Sequence, residues 1–96
     1  MLTVRESPAA QDAVDDACEK WARTEDAWEA LKWALSRDPH IGTPLTEGGQ
    51  ARAFTLEGRW AWEMPTITVL YRIEVHYVTI ESARFEDAQT GQMGNA

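Results

Sequence analysis

Residues 67–81 read Ile67-Thr68-Val69-Leu70-Tyr71-Arg72-Ile73-Glu74-Val75-His76-Tyr77-Val78-Thr79-Ile80-Glu81. Ile67, Val69, Tyr71 and Ile73 alternate with Thr68, Leu70, Arg72 and Glu74, the two-residue period of a strand. Val78 and Ile80 then alternate with Tyr77, Thr79 and Glu81, which predicts a second strand running to about Phe85. Between them the chain reverses at Val75-His76, although no Gly or Asn favours a tight turn there. Strands joined by so short a connection pair antiparallel. This hairpin decides the rest of the reading.

Upstream, Arg52, Phe54 and Leu56 share one face of an earlier strand, opposite Ala53, Thr55 and Glu57. Gly58 marks a turn, and Trp60, Trp62 and Met64 share parity beyond it. Pro65 lacks an N–H and disfavours a continuous central strand through this point. Residues 38–50 hold two prolines and three glycines and predict a connecting loop, pinned by Ile41 and Leu45.

The first third of the chain is helical in pattern. Ser7-Pro8 places a capping hydroxyl before a proline at the first helical position. Ala10, Val14, Ala17, Cys18 and Trp21 then form an apolar stripe, which predicts a helix over about residues 8–21 with Cys18 buried. Asp12, Asp15, Asp16 and Glu19 make its solvated face. Thr24 is expected to cap a second helix, with Glu25 and Asp26 in its first turn. Ala27, Leu31, Ala34 and Leu35 supply its buried stripe, and Trp33 faces away from it. Asp38-Pro39 ends this helix. Leu2 and Val4 suggest a short opening strand.

Composition narrows the function classes. Ninety-six residues predict one domain over 1–86 and a flexible C-terminal tail over 87–96. Hydrophobic residues are 44 % of the chain, a globular proportion. Sixteen acidic against nine basic residues give a formal charge of −7, which argues against a general grip on free nucleic acid. The sequence contains no apolar run long enough for a membrane span and no signal-peptide pattern at Met1–Glu6, so a cytoplasmic protein is expected. Cys18 stands alone, and His40 and His76 lie on separate loops without a third ligand; neither a metal nor another cofactor is expected.

The order of strand, two helices, loop and late strands resembles the RelE/ParE superfamily of type II toxin–antitoxin toxins. Four pieces carry the resemblance: the opening strand with its helix pair, Ser36-Arg37-Asp38-Pro39, the Gly42-Thr43-Pro44-Leu45 loop, and the strands Val69-Leu70-Tyr71-Arg72-Ile73 and Val78-Thr79-Ile80. It implies a two-layer α+β fold, with a strand–helix–helix unit followed by a three- or four-stranded antiparallel sheet. It also implies a toxin-like role of the plasmid-stabilisation kind, an antitoxin protein as partner, and gyrase or the ribosome as cellular target. One branch of the superfamily cleaves messenger RNA on the ribosome with basic and aromatic groups. The arginine expected before the Val69-Leu70-Tyr71 segment falls at Thr68, and Glu86-Asp87-Ala88-Gln89 stands where a downstream Tyr or His is expected. The resemblance therefore favours a toxin-like protein that acts by protein binding without the full ribonuclease set. A ribosome-dependent endoribonuclease and a small homo-oligomeric interaction protein are the alternatives, so enzymatic activity stays open.

The candidate residues follow. Arg72, Arg84 and His76 are the types that RNA cleavage needs, provided they converge. Arg52, Arg59, Trp33, Trp60, Trp62 and Tyr77 are the partner-binding candidates, since Trp, Tyr and Arg dominate interface hot spots. Each has a plain alternative. The arginines can pair with Glu57, Glu74 or Glu81 on an open sheet face, and Trp60 and Trp62 can pack beneath the helices. Tyr71 is expected in the core with a satisfied hydroxyl.

Overall fold

The computed structural model describes residues 2–88. Strand β1 (Thr3–Glu6) leads into helices α1 (Pro8–Cys18) and α2 (Thr24–Arg37). Then come β2 (Thr43–Pro44), β3 (Ala51–Leu56), a single 3-10 turn (Trp60–Trp62), β4 (Thr66–Ile73) and β5 (Tyr77–Glu86). The sheet order is β1-β5-β4-β3-β2. β1 lies parallel to β5 and every other pair is antiparallel. The class is α+β, as expected, but the sheet is mixed and has five strands. The added strand is β2, at Thr43–Pro44 inside the expected loop, where Thr43 pairs with Ala53 and Pro44 with Arg52.

Local chemistry explains the helix limits. Ser7 accepts from the Ala10 amide at 3.1 Å and donates its hydroxyl to the Glu81 carbonyl at 2.8 Å, so one residue starts α1 and ties it to β5. Glu81 is the extra residue of a bulge, because Leu70 pairs with Ser82 and Tyr71 with Ile80. α1 stops at Cys18, short of the expected Trp21. Thr24, expected to cap α2, instead reaches back: its buried hydroxyl lies 3.0 Å from the Ala17 carbonyl and 2.9 Å from that of Trp21. These contacts satisfy the end of α1 and turn the chain into a helix pair. Cys18, the last residue of α1, is exposed, contrary to the expected burial. Its thiol is held above the ordinary range by desolvation and by the carboxylates of Glu25 and Asp15.

Between the helices and one sheet face lies a core of Ala10, Ala27, Trp28, Leu31, Leu35, Ile67, Val69, Tyr71, Val78 and Ile80. Each large aliphatic side chain buried here contributes about 1.5–3 kcal/mol. Trp28 packs on Phe85 with ring centroids 5.8 Å apart. The register places Thr68, Leu70 and Arg72 of β4 on the opposite face, with Ala53 and Thr55 of β3 and Thr79, Ser82 and Arg84 of β5 beside them. This second face has no helix over it among the described residues.

Two further expectations fail, each for its own reason. Ile41 and Leu45 do not pin the loop; both are exposed. Polar clamps hold it instead, from Tyr71 and Arg52. The strand predicted through Trp60 and Trp62 is the 3-10 turn, closed by an amide–carbonyl bond from Trp62 to Arg59 at 3.0 Å. Glu63 follows with φ 57°, and Pro65 cannot donate to a ladder. The period of two is broken, and both indoles turn to solvent. The Val75–His76 reversal is as expected, closed by the Glu74 amide on the Tyr77 carbonyl at 2.8 Å. Beyond β5, Asp87 accepts from the Trp21 indole at 2.8 Å and Ala88 is buried; the rest of the expected tail, residues 89–96, lies outside the described residues.

Candidate functional site

The candidate catalytic residues occupy three different places. Arg72 pairs across the ladder with Thr79, whereas Arg84 pairs with Thr68. They are therefore offset by four residues along β4, about 13 Å at strand rise. Each has its own carboxylate: Arg72 meets Glu81 at 3.3 Å and Arg84 meets Glu86 at 3.4 Å. His76 sits exposed in the turn beyond β4. Arg72 lines a cleft of about 550 Å³ with His40, Gly48, Gly49, Gln50 and Glu74, and neither His76 nor Arg84 is part of it. The pairing of Arg72 with Glu81 is the solvated-face alternative. Such exposed pairs contribute at most about 1 kcal/mol and exchange partners easily. Their position matters more: a phosphate approaching either arginine meets a carboxylate beside it.

Arg52 has a structural post. Its guanidinium donates to the carbonyls of Gly49 at 2.7 Å, Gly42 at 2.8 Å and His40 at 3.1 Å, gathering the loop after α2 against β3. Arg59 lies over the Trp62 ring, 5.2 Å from its centroid. Arg5 covers Tyr77 at 4.3 Å, and Arg37 covers Trp33 at 4.5 Å. Lys20 lies 5.9 Å from the Trp21 ring. Arg23 pairs with Asp26, and Lys32 bridges Glu6 at 2.8 Å and Glu29 at 3.1 Å. All nine basic side chains thus have an internal partner. Among the described residues, Asp12, Asp15 and Asp16 of α1 and Glu19 just beyond it have no ion-pair partner, so the free charge of this face is negative.

Trp33, Trp60 and Trp62 are 57 %, 62 % and 56 % exposed, which makes them the main exposed aromatic surface. They form two patches. The Arg23 amide donates to Glu63 at 3.2 Å, which places the Trp60–Trp62 turn at the start of α2. Trp33 lies ten residues further along, about 15 Å by helix rise. It borders a groove of about 720 Å³ between α2 and β1, lined by Leu2, Val4, Ala30 and Ser36. Sequence reasoning marked Trp33 but not this groove, because its other wall is the outer edge of a strand whose place in the sheet no local pattern encodes. One arginine–aromatic stack was equally hidden. Arg5 and Tyr77 are far apart in sequence and meet only through the parallel β1–β5 pairing.

Trp28 carries the one buried side-chain donor without a partner among the described residues, its indole N–H. No group of three or more His, Cys, Asp or Glu side chains among them is arranged to hold a metal. No described helix is long and apolar enough to cross a membrane. Compared with protein-family models, the chain matches none, and it matches no curated protein.

Proposed function

We propose that this protein is a RelE/ParE-like, toxin-type protein that acts through protein contacts and lacks a ribonuclease centre. The observation that carries the reading is the dispersal of the basic groups. Arg72 and Arg84 stand apart on the ladder with a carboxylate beside each, and His76 lies in the turn beyond. Phosphoryl chemistry needs cations converging on the charge that develops in the transition state. Protein recognition needs exposed indoles and arginines, and the Trp33 and Trp60–Trp62 patches offer both. The toxin-type part of the reading rests on the ordered resemblance, whose opening strand, helix pair, loop and late strands follow in the expected sequence. An antitoxin-like protein encoded beside it is the proposed partner, and a protein target such as gyrase fits better than free nucleic acid.

The test is regulated expression in a bacterial host, with growth and intact messenger RNA followed together. Growth arrest with uncleaved messages, relieved by co-expressing the neighbouring gene product, is the expected result. Ribosome-dependent cleavage that disappears in Arg72→Ala would overturn it. That outcome belongs to the second reading, an endoribonuclease, which the His40–Arg72 cleft favours.

A further inference from the structure

The cations of this chain are shared out among its aromatic rings, with one omission. Tyr77 carries Arg5, Trp33 carries Arg37 and Trp62 carries Arg59, at 4.3, 4.5 and 5.2 Å, while Trp21 has Lys20 at 5.9 Å. The three guanidinium stacks are closer than the ammonium one, as suits a planar and weakly hydrated cation. Trp28 is buried in the core. Trp60 is the tryptophan left over: it is 62 % exposed, and no cation lies over it among the described residues. All nine Lys and Arg side chains fall within residues 2–88, and each is already partnered. The chain therefore has no uncommitted cation to place on this ring. Arg59, its neighbour in sequence, lies over Trp62 instead.

The turn that presents Trp60 is fixed by its own backbone. Arg59 and Met64 exchange both amide–carbonyl bonds, at 3.0 and 3.1 Å. Inside that bridge the Trp62 amide donates to Arg59 and the Glu63 amide donates to the Trp60 carbonyl at 3.1 Å. The Gly58 amide is held by the Thr66 hydroxyl at 2.9 Å. An indole on so constrained a turn gives up little freedom when a partner lands on it. Its charge setting selects the partner. Glu57 and Glu63 stand three residues to either side of Trp60, both are exposed, and neither has an ion-pair partner among the described residues. The face of an indole attracts positive charge. Two unpaired carboxylates nearby, in a chain of formal charge −7, add to that attraction and oppose an anionic partner. A guanidinium satisfies both features at once, because it stacks through its plane and donates to carboxylates through its edge.

We propose that Trp60 is the docking point for an arginine side chain on a basic segment of a partner protein. This deepens the protein-contact reading and rests on it for the biological partner, but its test needs neither antitoxin nor target. The full chain is titrated, with NMR detection, by a short capped peptide carrying two arginines, and by its lysine and glutamate counterparts. The Trp60 indole N–H signal is identified by its loss in Trp60→Phe. The arginine peptide should move that signal and the amides of residues 57–63 saturably, and its own side-chain methylene protons should shift upfield from the ring current. The lysine peptide should bind more weakly and the glutamate peptide should leave the turn unmoved. Trp60→Ala should weaken binding at residues 57–63 by about threefold or more and abolish the upfield shift, whereas Trp60→Phe should keep part of both. Equal binding of the lysine peptide overturns the assignment to arginine. Shifts confined to the acidic face around Asp12, Asp15 and Asp16, or an affinity unchanged in Trp60→Ala, overturn the role of Trp60. A failed titration leaves growth arrest to be judged separately, and message cleavage in the cell leaves the titration as it stands.

Discussion

The hydroxyl of Tyr71 donates to the carbonyl of Pro39 at 2.6 Å, joining the middle of β4 to the first residues after α2. The same oxygen accepts the Gly42 amide at 3.0 Å. Tyr71 is 1 % exposed; its bond to the Gly42 amide is buried, and the one to the Pro39 carbonyl is half-buried. A phenol can donate one hydrogen and accept others, and here both capacities serve one loop. Arg52 completes the clamp from β3. The loop thus keeps its shape while Ile41 and Leu45 lie on the surface.

Tyr71→Phe should destabilise the fold by about 1–3 kcal/mol, because it leaves the buried Gly42 amide and the half-buried Pro39 carbonyl without their partner. The ring and its packing stay. Denaturant unfolding gives the size of the effect, and hydrogen exchange should locate it in residues 39–45. A variant as stable as the parent would show that the loop finds other partners.

Alkaline pH should unsettle the same region. Burial raises the pKa of Tyr71 above its usual 10.0, against the opposing effects of the Gly42 amide and Arg52. Burial works against the Lys32 ammonium, but hydrogen bonds and charges from Glu6 and Glu29 outweigh it, and its pKa lies above 10.5. For each group the protonated form is favoured in the folded state. Its stabilising contribution is complete below the unfolded pKa and is lost as pH rises through the folded one. Stability measured by urea unfolding should therefore fall above about pH 10. The fall should be smaller in Tyr71→Phe, and an identical pH profile in that variant would contradict the assignment.

Gly42→Ala tests the closeness of the loop to the sheet. A Cβ at this position would lie 2.6 Å from the Ala53 carbonyl oxygen and 2.7 Å from the Tyr71 hydroxyl. The carbonyl belongs to β3 and cannot move without disturbing its ladder. A loss of about 1–3 kcal/mol is expected, the usual cost of overfilling a packed site. Gly48→Ala is the control, since nothing lies within 4 Å of its Cβ position. Thermal unfolding of the two variants should separate them clearly.

Elements that obey a local period were legible in the sequence. The alternation in Ile67–Ile73 defined β4 and its buried face, and Ser7-Pro8 marked the start of α1. Trp33 was correctly turned outward from the wheel alone. The failures occur where a distant group decides. Thr24 abandons its own helix to close α1. Trp60 and Trp62 keep strand parity in the sequence, yet the chain winds into a 3-10 turn before Pro65. The β2 strand exists because Thr43 and Pro44 meet Ala53 and Arg52 across the sheet, and two residues carry no period to detect. The candidate site was legible as residue types only. Whether Arg72 and Arg84 converge is a matter of strand register, which the bulge at Glu81 shifts by one residue.

The arginines divide by what they hold, and substitution should expose the division. Arg52 donates to three loop carbonyls, those of Gly49, Gly42 and His40. Arg84 has a side chain 71 % exposed and touches one carboxylate that is itself half in solvent. Hydrogen bonds from a charged donor contribute about 1.5–3 kcal/mol where they are sheltered, whereas an exposed ion pair contributes at most about 1 kcal/mol. Arg52→Met should therefore lower the unfolding free energy by about 2 kcal/mol or more and speed hydrogen exchange through residues 40–50. Arg84→Met should change it by no more than about 0.5 kcal/mol. Lysine separates charge from geometry at the first site: an ammonium has no planar fork to reach separated carbonyls at once. Arg52→Lys should recover only part of the loss. Full recovery would mean that positive charge alone holds the loop, and equal effects at Arg52 and Arg84 would remove the distinction between clamp and surface pair.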